Sequence, residues 1–178
     1  MYLIKRIKYH NKTKAQDMNS SFHASVSRPS PLTLHFLGNI LTFRARYSDT
    51  SESFTVIEVL TAPEAGPPPH TQTDQEAFLV LEGQYEITIG DTVRKCVPGD
   101  FVHVPPGEMH TFRNIASTPS RMLLINFPGD LHEAFFLAVG EELSPGQTEF
   151  PPMTPPDVPK IVETAAQFGI TIPLPAHA

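Results

Sequence analysis

The chain has 178 residues, 40% of them hydrophobic, and a formal charge of -6 with an isoelectric point near 5.7. That length fits one domain with its own core, and the hydrophobic content is too high for a disordered chain. No apolar run approaches the roughly 18 residues of a membrane-spanning helix, and the acidic balance argues against nucleic acid, which needs a basic patch.

The chain opens with Lys5, Arg6, Lys8, Lys12 and Lys14 ahead of Met18. No apolar stretch follows them, so they do not read as a secretory signal; a transit peptide and initiation at Met18 both fit. Residues 1–30 are expected to form a poorly ordered extension. The single cysteine, Cys96, excludes an internal disulfide framework and fits a reducing, cytoplasmic compartment. Between Arg94-Lys95 and Val97 it reads as a buried strand residue ahead of a reactive thiol.

After Pro29 and Pro31 the pattern turns to short β-type runs. Leu32 to Leu37 and Ile40 to Tyr47 meet at Gly38-Asn39, and the second run alternates Leu41, Phe43, Ala45 and Tyr47 with Thr42, Arg44 and Arg46. Arg44 and Arg46 read as a solvated strand face. Phe54 to Leu60 is the next strand. Pro67-Pro68-Pro69 cannot sit in a central strand and predicts a stiff lead-in to His70. Ala77 to Leu81, Tyr85 to Ile89, Thr92 to Val97, Phe101 to Val104, Thr111 to Ile115 and Arg121 to Phe127 follow, separated by turns such as Gly90-Asp91. Phe78, Tyr85, Phe101 and Phe112 are core candidates.

About nine or ten short strands at this spacing predict an all-β antiparallel sandwich or barrel over residues 31–130. Residues 131–178 read as a helical and proline-rich segment packed on it. Asp130 is placed to cap a helix through Leu131, Phe135, Phe136 and Val139, with His132 on its surface. Pro145 to Pro159 predicts an extended linker, and Asp157 a capped helix over Val158 to Phe168 that Gly169 closes.

Two segments carry chemistry. Gly66 to Glu76 brings His70, Gln72 and Glu76 close together, and Gly99 to Asn114 brings His110 just after Pro105-Pro106-Gly107. Two imidazoles, a carboxylate and an amide oxygen form a reasonable ligand set for a divalent transition metal such as Fe, Mn, Ni, Zn or Cu. On strands, positions 70, 72 and 76 share a face and can point into one cavity. A lone histidine is more often packed than ligating, so the weight rests on the two segments together. His35 and His103 lack such context and read as structural or substrate-side residues.

This pattern resembles the cupins. His70, Gln72, Glu76 and Gly83 fall on the first cupin motif, with Gly66 slightly displaced as its lead glycine. Gly99, Pro105, Gly107, His110 and Asn114 fall on the second at every spacing. The resemblance implies a jelly-roll barrel, the double-stranded β-helix, with short C-terminal helices and a metal held by His70, Gln72, Glu76 and His110. The departure is Gln72, where the family usually places a second histidine. Its amide either completes the ligand set or stands aside; a cavity that binds a ligand without metal also fits.

The activity the resemblance favours is that of a quercetin dioxygenase-like oxygenase, with Glu76 accepting the proton of a small enolic or phenolic substrate. Metal-dependent isomerases or lyases of sugars and hydroxy-acids, and non-catalytic small-molecule binders, share the fold. The resemblance also implies a homodimer, with exposed edges near residues 32–47 as its contact.

Overall fold

The computed structural model describes residues 31–173, and the expected N-terminal extension lies outside the described residues. Twelve strands and two helices follow in the order β1 (Thr33–Phe36), β2 (Asn39–Ala45), β3 (Thr55–Thr61), β4 (Thr71–Gln72), β5 (Gln75–Glu82), β6 (Tyr85–Ile89), β7 (Thr92–Cys96), β8 (Phe101–Val104), β9 (His110–Asn114), β10 (Ser120–Phe127), α1 (Asp130–Val139), β11 (Glu141–Glu142), α2 (Val158–Gln167) and β12 (Ile170–Thr171). A seven-stranded sheet ordered β11-β1-β2-β3-β10-β5-β8 faces a three-stranded sheet, β7-β6-β9. Its strand pairs are antiparallel. The fold is the predicted all-β jelly roll with few helices.

Period-two alternation builds the core. In β10, Ser120, Met122, Leu124 and Asn126 turn inward while the residues between them turn out. Phe78 of β5 meets Phe112 of β9 edge to face at 5.7 Å between ring centroids, and Tyr85 of β6 meets the same ring at 5.8 Å. Cys96 is buried, as a strand cysteine should be. Phe101 is not a core residue: β8 buries Val102 and Val104, and Phe101 on the opposite parity is 58% exposed.

Other expectations shift in detail. Gly129, with φ of +90°, is the N-cap of α1 in place of Asp130, which is the first helical residue and makes no side-chain cap bond. Asp157 does cap α2, its carboxylate accepting from the Lys160 amide at 3.2 Å. Arg44 is bound to Glu58 and Arg46 to Glu133, so neither is a free solvated cation. The strands expected to offer a free edge are occupied: β2 lies between β1 and β3, and β11 pairs with β1 at Leu34 and His35.

The C-terminal elements position the site. Glu133 of α1 accepts from Arg46 Nε and from the Tyr47 amide, both at 2.8 Å, which pins the helix to the turn after β2. β12 then pairs with β4, setting Ile170 opposite Gln72 and Thr171 opposite Thr71.

Candidate metal centre

The two motif segments meet through their backbones. The amide of His70 donates to the carbonyl of His110 at 3.0 Å, and the amide of His110 returns the bond at 2.9 Å. The proline run before His70 and the Pro105-Pro106-Gly107 turn before His110 aim the two segments at each other. Gly107, at φ +76°, takes a conformation that favours glycine, and its amide donates to the carbonyl of Gln72 at 2.7 Å. Gly66 is needed for closeness, since a Cβ there would lie 1.9 Å from the carbonyl oxygen of Phe112.

The side chains converge as well. His70, Glu76 and His110 each present a ligand atom within 4.8 Å of the other two, and the two imidazole rings lie 4.3 Å apart. His110 Nε2 donates to Glu76 Oε2 at 3.0 Å, with His110 Nδ1 on the carbonyl of Glu108 at 2.8 Å. His70 Nδ1 donates to the carbonyl of Pro68 at 2.9 Å, so its Nε2 keeps a lone pair for the site. Glu76 and His110 are 2% and 1% exposed.

The electrostatics follow from burial and proximity. Burial, then the neighbouring His110 ring, holds His70 down to about 4, against the pull of Glu76. Burial also opposes a charge on Glu76, but the hydrogen bond from His110 prevails and its carboxyl lies below the usual range. Burial disfavours the His110 cation, but the bond to Glu76 outweighs it and raises His110. The pair therefore carries its charges internally, next to a neutral His70.

Gln72 is buried, but it lies on β4, separate from β5 that carries Glu76, so the four positions do not share one continuous strand. Its Nε2 makes only a long 3.5 Å contact with the carbonyl of Asp74, and its Oε1 has no partner among the described residues. An orphaned amide oxygen, a free imidazole lone pair and a buried carboxylate are donors that suit a divalent transition metal. The residues fit the group that the motifs imply. His35 and His103 stay outside: His35 lies 4.0 Å from Glu141, and the exposed His103 lies 3.3 Å from Gln75 Oε1.

Two residues of the site were not expected from the sequence. Asn126 stands opposite Glu76 in the β10–β5 register, and its Nδ2 donates to Glu76 Oε1 at 3.1 Å. An asparagine at an inward position of the alternating strand Met122-Leu124-Asn126 was the available signal. His132, expected on the surface, is 5% exposed and lies 3.0 Å from Asn126 through Nδ1. The inward face of α1 is His132, Glu133, Phe135 and Phe136, so the predicted Phe135 and Phe136 are buried, whereas Leu131 turns outward and His132 inward. Burial holds His132 below the ordinary imidazole range, although Glu76 pulls the other way.

A cavity of about 630 Å³, counting the part that meets solvent, lies beside these residues, and its lining includes His70, Glu76 and His132. Its remaining walls are largely apolar, with Phe112 and Leu124 from the sheets, Phe136 from α1, and Ile161 and Ile170 from the C-terminal elements. That is the make-up of a small-molecule site: hydrocarbon walls with a few convergent polar groups.

The class suggested by an antiparallel β-sandwich with a buried His/Glu/His group beside an apolar cavity can be compared with known proteins. Residues 57–126 match the family model described as Cupin domain. A 61-residue stretch is 30% identical to the uncharacterized protein MJ1618 of Methanocaldococcus jannaschii, covering 34% of this chain and 49% of that protein. The match thus spans about half of the relative's length. An RmlC-like cupin from Shewanella frigidimarina superposes with a TM-score of 0.51 at 15% identity, over 62% of this chain and 94% of that one, a likeness of fold. The polyketide cyclase RemF from Streptomyces resistomycificus gives 0.47 at 22% identity, over 51% and 66% of the two chains.

Proposed function

We propose that this protein is a metal-dependent cupin enzyme, an oxygenase of the quercetin dioxygenase-like kind acting on a small enolic or phenolic molecule. The observation that carries the reading is the convergence of His70, Glu76 and His110, two of which line a largely apolar cavity. In this reading those three residues would hold the metal, with Gln72 as the fourth donor. When bound there, a divalent transition metal supplies Lewis acidity and, for redox-active ions, access to dioxygen.

The chain's own residues do the rest. Glu76 is the group able to take a proton from an acidic enol or phenol O–H. Asn126 holds its Oε1, which fixes the carboxylate in orientation before any substrate arrives. The apolar walls displace water from the same spot and leave a flat hydrocarbon body little choice of pose.

The test is elemental analysis of protein purified without added metal, beside the His110→Ala variant. Wild type should carry a first-row metal near one per chain, and the variant should lose most of it while its far-ultraviolet circular dichroism is unchanged. Equal metal in both would remove His110 from the ligand set. With candidate substrates, oxygen uptake should accompany turnover; turnover undiminished without oxygen would replace the oxygenase with a metal-dependent isomerase or lyase.

A further inference from the structure

His132 is a polar side chain 95% buried in a wall otherwise built from Phe135, Phe136 and aliphatic residues, stacked on the Phe136 ring at 4.7 Å between centroids. Its state follows from its neighbour. Asn126 Nδ2 lies 3.1 Å from Glu76 Oε1 and 3.0 Å from His132 Nδ1. A carboxylate accepts only, so the amide must turn its NH2 group toward Glu76, and one nitrogen with two hydrogens serves both contacts. His132 Nδ1 is then an acceptor, and the ring proton sits on Nε2. The ring hydrogen bond of His132 among the described residues is made through Nδ1, and His132 lines the cavity.

The placement is rigid. Glu133, the next residue of α1, is tied to Arg46 and to the Tyr47 amide, so the helix cannot rotate without breaking two charge-assisted bonds. His132 lies outside the His70, Glu76 and His110 ligand group, its Nδ1 being 4.0 Å from Glu76 Oε1.

We propose that His132 is the ligand-orienting donor of the cavity, its Nε2–H reserved for an acceptor oxygen of a ketone, enolate or phenolate whose hydrocarbon body lies on the apolar walls. This rests on the reading of the cavity as the substrate site and adds to it the residue that selects oxygen-bearing ligands. The Glu76–Asn126–His132 chain makes that selectivity a product of the same hydrogen bonds that fix the carboxylate. A neutral, tautomer-locked imidazole accepts no proton from the ligand in this role; it discriminates by what it can donate.

The experiment uses metal-free, histidine-labelled full-length protein and two matched probes, acetophenone and ethylbenzene, which differ in the acceptor oxygen. The 15N shifts of His132 should report the Nε2-protonated tautomer and should move on titration with acetophenone alone. His132→Phe should weaken acetophenone about tenfold, the scale of one lost hydrogen bond, and leave ethylbenzene unchanged. His132→Gln, which keeps an acceptor for Asn126 and an N–H for the ligand, should restore most of the difference. An Nδ1-protonated tautomer, equal losses for both probes, or no response of His132 at the solubility limit of acetophenone would each overturn the proposal. Because the titrations need no metal, a failed metal assignment, read by elemental analysis of His110→Ala, leaves this result standing on its own.

Discussion

Two clusters of polar side chains are buried inside this sandwich, and they are built on opposite terms. Around Asn114 every capacity is used: Nδ2 donates to the carbonyls of Thr61 and Thr118 at 2.9 Å each, while Oδ1 accepts from the Ala116 amide at 2.9 Å and from Ser120 Oγ at 2.7 Å. Nearby, Tyr85 Oη donates to Thr61 Oγ1, which passes its own proton to Asn39 Oδ1. Around Glu76, by contrast, Gln72 Oε1, Asp74 Oδ2 and Asn126 Oδ1 are buried without a partner among the described residues. A satisfied network holds a fold together, whereas an unsatisfied one costs stability and is kept for what it can bind. The asparagine that ends the second motif therefore belongs to the scaffold.

The sharpest way to break that comparison is Asn114→Ala. It strands two carbonyls, an amide and a hydroxyl in a dry interior, and should lower unfolding stability by roughly 3–5 kcal/mol in urea titrations. A loss under 1 kcal/mol would mean that water replaces the asparagine easily, and the scaffold reading would fail. Gln72→Leu should act in the opposite direction. Deleting an unpaired buried amide should stabilise the metal-free protein by about 1 kcal/mol, while metal affinity falls about tenfold if Oε1 is a donor. Gln72→His should tighten metal binding for the same reason. Unchanged affinity in both variants would place position 72 outside the ligand set.

What could be read in the sequence sorts along the same line. Strand alternation and the glycine turns were legible because each depends on local geometry, and the grouping of His70, Glu76 and His110 through its resemblance to the two cupin motifs. The parity of a strand was not legible when both faces carry apolar residues: Phe101 and Val102 compete in β8, and the pair with Val104 won the core. In α1 the expected face Leu131-Phe135-Phe136-Val139 differs from the observed one at its start, where His132 turns inward and Leu131 outward, and a histidine does not look like an inward residue until Asn126 stands beside it to donate to its Nδ1. The pairing of β12 with β4 joins residues a hundred positions apart in about two hydrogen-bonded steps, and no local pattern announces a contact of that range.

The smallest expected effect lies on the outer face of the same sheet, where charges meet water instead of each other's desolvation. Glu58 of β3 sits between Arg44, 2.8 Å away, and Arg121. Partial burial pushes its carboxyl up, but the two guanidinium groups more than offset this and its pKa lies below the usual range. In the unfolded chain the carboxyl titrates near about 4.3, so between the folded and unfolded values the unfolded state binds more protons. The stabilisation is therefore fully present above the unfolded value and is lost as pH falls through the folded one. Both arginines are partly exposed, so solvent screening keeps the contribution below about 1 kcal/mol. Urea midpoints at pH 7 and pH 3 for wild type and Glu58→Gln should differ accordingly: the variant loses a little stability at pH 7, and the gap narrows at pH 3. A gap that persists unchanged at pH 3 would mean that the glutamate stabilises β3 through packing, and that charge on this outer face contributes nothing to the fold.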